Sequence, residues 1–248
     1  MTTYRIEHRT TYDYDDDVTS SFGQFHLRPR DLDWQSCLSH QIVVEPAPAN
    51  LDSHVDLYGN TKSSFHVVEP HTQLTVTAVS TVEVHKQEFA PGALELPWEQ
   101  ARPQHRLDVP DAWEAVDFTF ASPYVDIPPG IREYAERSFT PGRPIGEAAV
   151  DLVHRVHSDF TYRSGSTIIG EKVAHLLTNM TGVCQDFSHF MASGLRSLGL
   201  GGATSAAIWP PGPPQGGRVW SAPTPATPGS AAGSRTPAGS ISTPPTSG

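Results

Sequence analysis

The chain has 248 residues and a formal net charge of −10, a balance that argues against nucleic acid and anionic membrane as partners. Its hydrophobic content of 37% is low, and its 23 prolines and 20 glycines are many, so part of the chain builds no core. The opening "MTTYRIEHRTTYDYDDD" has no apolar segment of the signal-peptide kind, and no apolar run is long enough to cross a bilayer. Two cysteines, Cys37 and Cys184, make no disulfide framework, and a reducing cytoplasmic setting fits best.

Residues 1–85 read as strands. "TYRIEHRTTYDY" alternates, with Tyr4, Ile6, His8, Thr10, Tyr12 and Tyr14 on one face. "HQIVVEPAP", "SSFHVVEP" and "QLTVTAVSTVEVH" are β-branched runs bounded by Pro, Asn and Gly, and Gly59-Asn60 marks a turn. Many short strands and few helical stretches predict a small antiparallel sandwich. Asp15, Asp16 and Asp17 read as a solvated turn, Arg28 and Arg30 as scaffold salt bridges, and Cys37 as an incidental residue in a polar loop.

Residues 86–146 form an irregular, proline-rich connecting region with short helices at "DAWEAV" and "GIREYAERSF". Residues 147–200 are the most helical. "GEAAVDLVHRVHSDF" spaces Ala148, Leu152, Val156 and Phe160 along one helix face, and "FSHFMASGLRSLGL" does the same with Phe187, Phe190, Met191, Leu195 and Leu198. Residues 201–248 differ abruptly. They contain no Asp, Glu, His, Lys, Phe or Tyr, and such a Pro/Gly/Ser-rich segment cannot bury enough apolar surface to offset its ordering entropy. At face value it is disordered.

In "TNMTGVCQDFSHFMASGLRSLGL", Cys184 follows a glycine that permits a tight turn and opens a helix. A thiol at a helix N-terminus feels the positive end of the dipole, which favours thiolate. The free N–H groups of that turn can also serve as oxyanion donors. Cys184 is therefore the candidate nucleophile of an acyl-transfer enzyme. The competing reading is structural: a lone cysteine among Val, Phe and Met is usually a small buried hydrophobe.

"TGVCQDFSHFMASGLRSLGL", with "FTYRSGST" and "AHLLTNMTGVC" upstream, resembles the active-site helix of the bacterial transglutaminase-like family, within the papain-like superfamily. "YRIEHRTTYDYDDDV", "FHLRPR" and "VDLYGNTKSSFHVVEPHTQLTV" are similar to the β-rich domain that precedes its catalytic core. The resemblance covers about residues 3–200. It implies an α+β fold: an antiparallel β-sandwich, a papain-like core begun but not completed, and the tail. It also implies thioester chemistry through Cys184 on a glutamine side chain or peptide amide, with a protein or peptide as substrate. Transfer to an amine, amide hydrolysis and proteolysis share the same residues, so the class stays open. Nothing resembles a calcium loop or a phosphate-binding glycine run, so no cofactor and no metal are expected.

The family places a histidine and an aspartate on strands after the helix, in words like "SHAW" and "DPTN". Here the last histidine is His189 and the last aspartate is Asp186. His189 lies five residues after Cys184, roughly 140° around a helix at 3.6 residues per turn, and faces away from the thiol. His154, His157 and His175 precede the cysteine, and His154 and His157 lack the further ligands of a zinc site. A thiolate without an imidazolium partner loses both its activation and the proton donor for its leaving group.

The tail suggests a cause when the third base of each codon is read with the first two of the next. "GATSAAIW" (202–209) can then encode Arg-Tyr-Val-Ser-Gly-Tyr-Leu. "WSAPTPATPG" (220–229) can encode Val-Gly-Ala-Asp-Ala-Ser-His-Ala-Trp, and "AGSISTPPT" (238–246) Trp-Val-Asp-Phe-Asp-Pro-Thr-Asn. All three come from one shifted frame, in the family's order. The expectation is a frameshift near codons 200–202, by mutation or sequence error. The chain as written is then inactive and poorly stable. The alternatives are a genuine disordered tail and a non-enzymatic interaction protein whose "PPGPP" (210–214) is a ligand segment.

Overall fold

A computed structural model describes residues 1–86, 89–103, 112–165, 167 and 170–204, and the backbone of Ile241–Ser242. The chain divides into two compact units, Met1–Glu88 with Ile208–Gly248, and Phe89–Ala207. The tail expected to be disordered lies outside the described residues, apart from residues 201–204 and Ile241–Ser242.

The first unit is antiparallel. Strands β1 (Thr2–Val18), β2 (Ser21–Phe25), β3 (Gln35–Glu45), β4 (Asn50–Val55), β5 (Thr61–Val67) and β6 (His71–Val84) are joined by a two-residue β9 (Ile241–Ser242). One sheet runs β3-β6-β1-β9 and the other β2-β5-β4. The alternation in β1 sets its pleat: Tyr4, Ile6, Thr10, Tyr12 and Tyr14 are buried or half-buried, whereas Arg5, Arg9 and Asp13 are exposed. A one-residue slip would invert all of them, so this pattern fixes the β1–β6 register of Thr10 opposite Val76. Val44, Phe65, Val67, Leu74 and Val76 form the core, with Tyr12, Tyr14, Phe25, Leu27 and Ile42 packed against it.

The β4–β5 connection is built as "YGNTK" suggests. Gly59 takes φ +77, and the Asp56 carboxylate accepts the backbone N–H groups of Tyr58 (2.9 Å) and Asn60 (2.8 Å). Those bonds, Asn60 first, hold the Asp56 carboxyl below its usual range. Two local readings are corrected. Asp15, Asp16 and Asp17 belong to β1, at a register irregularity between Asp13 and Val18, because the strand continues through the bulge. Cys37 sits in β3, where its N–H bonds Asp31 (2.7 Å) and its thiol reaches the Ser39 carbonyl (3.5 Å). Arg28 pairs with Asp31 at 3.3 Å.

The second unit is helical. A 3-10 turn (Trp98–Ala101) is followed by α1 (Ala112–Asp117), α2 (Ile131–Glu136), α3 (Ile145–Asp159), α4 (Val173–Asn179) and α5 (Cys184–Ser197). Strands β7 (Thr161–Tyr162) and β8 (Thr181–Gly182) pair in parallel just before α5. One core holds the unit together: Ile131, Tyr134 and Ala135 of α2, Ala148, Leu152 and Val156 of α3, Val173 and Leu176 of α4, and Phe190 of α5. Phe190 is fully buried, with ring centroids 4.7 Å from Phe160 and 4.9 Å from Tyr134. The apolar stripe read in α5 is this packing face.

The end of α5 explains the word "RSLGL". Gly199 takes φ +78, which lets Gly199 N–H bond Arg196 O and Leu200 N–H bond Leu195 O. This is a Schellman termination, with Leu200 buried at its C″ position. Arg102 and Arg132 donate to the carbonyls of Leu198 (2.9 Å) and Ser197 (2.7 Å), satisfying groups the helix leaves without partners. The mixed architecture, antiparallel sheets first and helices after, is the α+β fold the sequence predicts.

Candidate nucleophile site

The chain reaches Cys184 through three consecutive constraints. Helix α4 ends at Met180, whose φ of +49 is uncommon for a residue with a side chain. Its N–H bonds Leu176 O, and its carbonyl accepts the Thr161 N–H at 2.9 Å. That bond starts the β7–β8 pairing, which continues with Arg163 N–H to Gly182 O at 3.0 Å. Val183 is then extended (φ −115, ψ 175) and serves as the N-cap of α5. Cys184 is the first helical residue and is exposed.

Gly182 has a different role from the tight turn expected of it. Its φ lies outside the left-handed region, and it is the second residue of β8. Its requirement is steric. A Cβ there would lie 2.8 Å from Asp186 Oδ2 and 2.9 Å from Asp186 Cβ. The buried Asp186 folds back over the turn, and its Oδ2 accepts the Val183 N–H (2.8 Å) and the Thr167 hydroxyl (2.6 Å). Val183 has no side-chain acceptor, so only this returning half of a capping box forms. Asp186 and Thr167 carry no role in the sequence reading. The signal was there: an acidic residue at the third helical position of a helix whose N-cap offers no oxygen.

Four polar residues of α5, Asp186, His189, Ser193 and Arg196, fall on one buried face. His189 stacks on Tyr124, with centroids 6.1 Å apart and planes 13° from parallel. Its burial, opposed by Asp186 and reinforced by Arg196, lowers its pKa. It is buried, with the Tyr124 ring against it. Ser193 donates to Asp126 O, and Arg196 to Phe120 O (2.8 Å), Ser122 Oγ (3.0 Å) and Gly202 O (2.9 Å).

Among the described residues, no hydrogen bond joins the Cys184 thiol to His154, His157, His175 or His189. His175 of α4 instead bonds Glu171, just before that helix, at 2.8 Å, and no group of three or more His, Cys, Asp or Glu among them is placed to hold a metal. Nor is any helix among them long and apolar enough to cross a membrane. An apolar groove of about 270 Å³ lies between α3 and α5, lined by Leu152, Val153, Met191 and Leu195 and bounded by Ala203 and Thr204.

Comparison with known proteins accounts for both units. The "Bacterial transglutaminase-like N-terminal region" matches residues 4–83, and the "Transglutaminase-like superfamily" matches residues 132–221. An uncharacterized protein of Mycobacterium tuberculosis (strain H37Rv) is 42% identical over 216 residues, covering 86% of this chain and 68% of the relative. One of Mycobacterium leprae (strain TN) is 28% identical over 198 residues, covering 80% and 68%. A solved chain from Cytophaga hutchinsonii, described as a "putative cysteine protease", shares the fold. Its TM-score is 0.60 at 17% identity, over 79% of this chain and 63% of that chain. With the N-terminal and core regions both matched and a 42%-identical relative covered over 68% of its length, the chain belongs to the bacterial transglutaminase-like family.

Proposed function

We propose that this fold performs cysteine acyl transfer on a glutamine side chain or peptide amide, with Cys184 as nucleophile. The observation that carries the reading is the exposed thiol at the first position of a helix whose body is locked into the core. In the full reaction the sulfur attacks the amide carbon, the C–N bond breaks, and the nitrogen leaves after taking a proton from a histidine. The resulting thioester is resolved by an amine or by water. The Cys184 N–H is one donor for the oxyanion, since the first N–H groups of a helix have no partner within it. Amide hydrolysis or proteolysis uses the same steps with water or a peptide bond, and the name given to the Cytophaga protein favours that branch as the second reading.

The chain as written has Cys184 and lacks the later histidine and aspartate. We propose that it is inactive and that a frameshift near codons 200–202 is the cause. The support is in the sequence: residues 201–248 contain no Asp, Glu, His, Lys, Phe or Tyr, and one shifted frame yields three family-like words in the family's order.

The test is to sequence the gene from the codon of Gly182 past that of Gly248 and to express two forms, as written and with the shifted frame restored. Each is assayed for amine incorporation into, and ammonia release from, a glutamine peptide, and for peptide cleavage. Turnover by the restored form, lost in Cys184→Ala and absent as written, is expected. Cys184-dependent turnover by the chain as written would contradict the inactivity.

A further inference from the structure

The turn that carries Cys184 is held by one carboxylate that the acyl-transfer chemistry does not use. We infer that Asp186 is the positioning residue of the nucleophile, with Thr167 as its brace and Gly182 as the space that admits it. The inference rests on reading Cys184 as the nucleophile.

The geometry is specific. Asp186 is 5% exposed, and a carboxylate that deep is costly unless its acceptors are engaged. Oδ2 is engaged twice, by the Val183 N–H and the Thr167 hydroxyl. The first bond satisfies the N-cap N–H, so the free amide nearest the thiol is that of Cys184. It also holds Val183 extended, which sets the direction in which the helix starts and the thiol is presented. The second bond ties the turn to the 163–167 segment, whose Arg163 N–H is already bonded to Gly182 O. Both bonds require Asp186 to lie directly over Gly182, where any Cβ would collide with it. Glycine two residues before the cysteine and aspartate two residues after it are thus halves of one device.

A thiol that must meet a carbonyl carbon along one line tolerates little displacement, and a misplacement on the order of 1 Å costs about a hundredfold in such reactions. The readout must not depend on turnover. We would measure the rate of carbamidomethylation of each cysteine by iodoacetamide across pH 6–9, resolved by peptide mass spectrometry, in the intact chain. Cys37, in the other unit, is the internal control.

Asp186→Ala and Gly182→Ala are each expected to slow Cys184 roughly tenfold or more relative to Cys37 and to change its pH profile. Asp186→Asn keeps an acceptor oxygen and should stay within about threefold of the parent. Thr167→Val removes one bond at constant shape, with an effect of about two- to fivefold. It serves where Asp186→Ala does not fold. A purely structural role would lower stability in Asp186→Ala without altering the Cys184 to Cys37 ratio in the folded protein. That result, or parent-like profiles in Asp186→Ala and Thr167→Val alike, overturns the inference. A parent Cys184 no more reactive than Cys37 instead removes the nucleophile, and with it the role of Asp186.

Discussion

Cys37 and Cys184 are the same side chain in two different backbones. Cys37 lies in β3 at a bulge, its N–H bound to Asp31 and its thiol turned to the Ser39 carbonyl. Burial, the largest influence there, raises its pKa. Cys184 opens α5, exposed, in a turn held from behind by Asp186. At the bulge the Cys37 N–H is committed to the Asp31 carboxylate. At the start of a helix the first N–H groups have no partner within the helix, and the positive end of the dipole lies there. Reactivity is a property of the local backbone, and a cysteine count alone does not separate the two residues.

The sharpest way to break this contrast is by substitution in the frame-restored protein. Cys184→Ala should lower turnover by about 10⁴-fold or more, while Cys37→Ser should leave it unchanged. Equal losses would place the chemistry elsewhere. Within α5 the two buried faces differ in what they support. Phe190→Ala opens a cavity against Phe160 and Tyr134 and should cost about 3–5 kcal/mol. Arg196→Ala strands the carbonyls of Phe120 and Gly202 and should cost about 2–4 kcal/mol. Urea unfolding of each variant checks both values, and an Arg196→Ala loss below about 1 kcal/mol would show that water replaces those bonds.

The smallest expected effect is on pH dependence. Burial lowers the His189 pKa in the folded state, so the unfolded chain binds its proton first as pH falls through about 6.5. Stability contributed by a neutral His189 is therefore present above that value. It is lost as pH falls toward the folded pKa, and the slope flattens below it. Burial does the same at His8 and His40 in the β unit. His189→Gln should therefore remove part of the slope between pH 6.5 and 5, measured by urea unfolding, and leave the remainder.

The sequence was most legible where period and burial coincide. The two-residue alternation of β1 and the helical spacing of Phe187, Phe190, Met191 and Leu195 each describe a buried face, and both faces are found. Gly59 was readable because a left-handed φ at a turn has few other solutions, whereas the same φ at Gly199 ends α5 without having been read from the sequence. Less legible were features with no period. The β7–β8 pair is two residues long and joins positions about twenty apart, and α4 is too short for its spacing to register. Gly182 was noticed for the wrong reason: a glycine needed for space looks the same in sequence as one needed for φ. Asp186 stood inside the quoted motif without a role, because its partners are a backbone N–H and a threonine 19 residues earlier.

On the proposed function, the fold presents Cys184, and not Cys37, for attack on an electrophile. Alkylating the native chain with limiting iodoacetamide at pH 7.5 and counting label on each cysteine tests it directly. The account expects Cys184 to be modified about tenfold faster or more. Equal labelling, or faster labelling of Cys37, would contradict it.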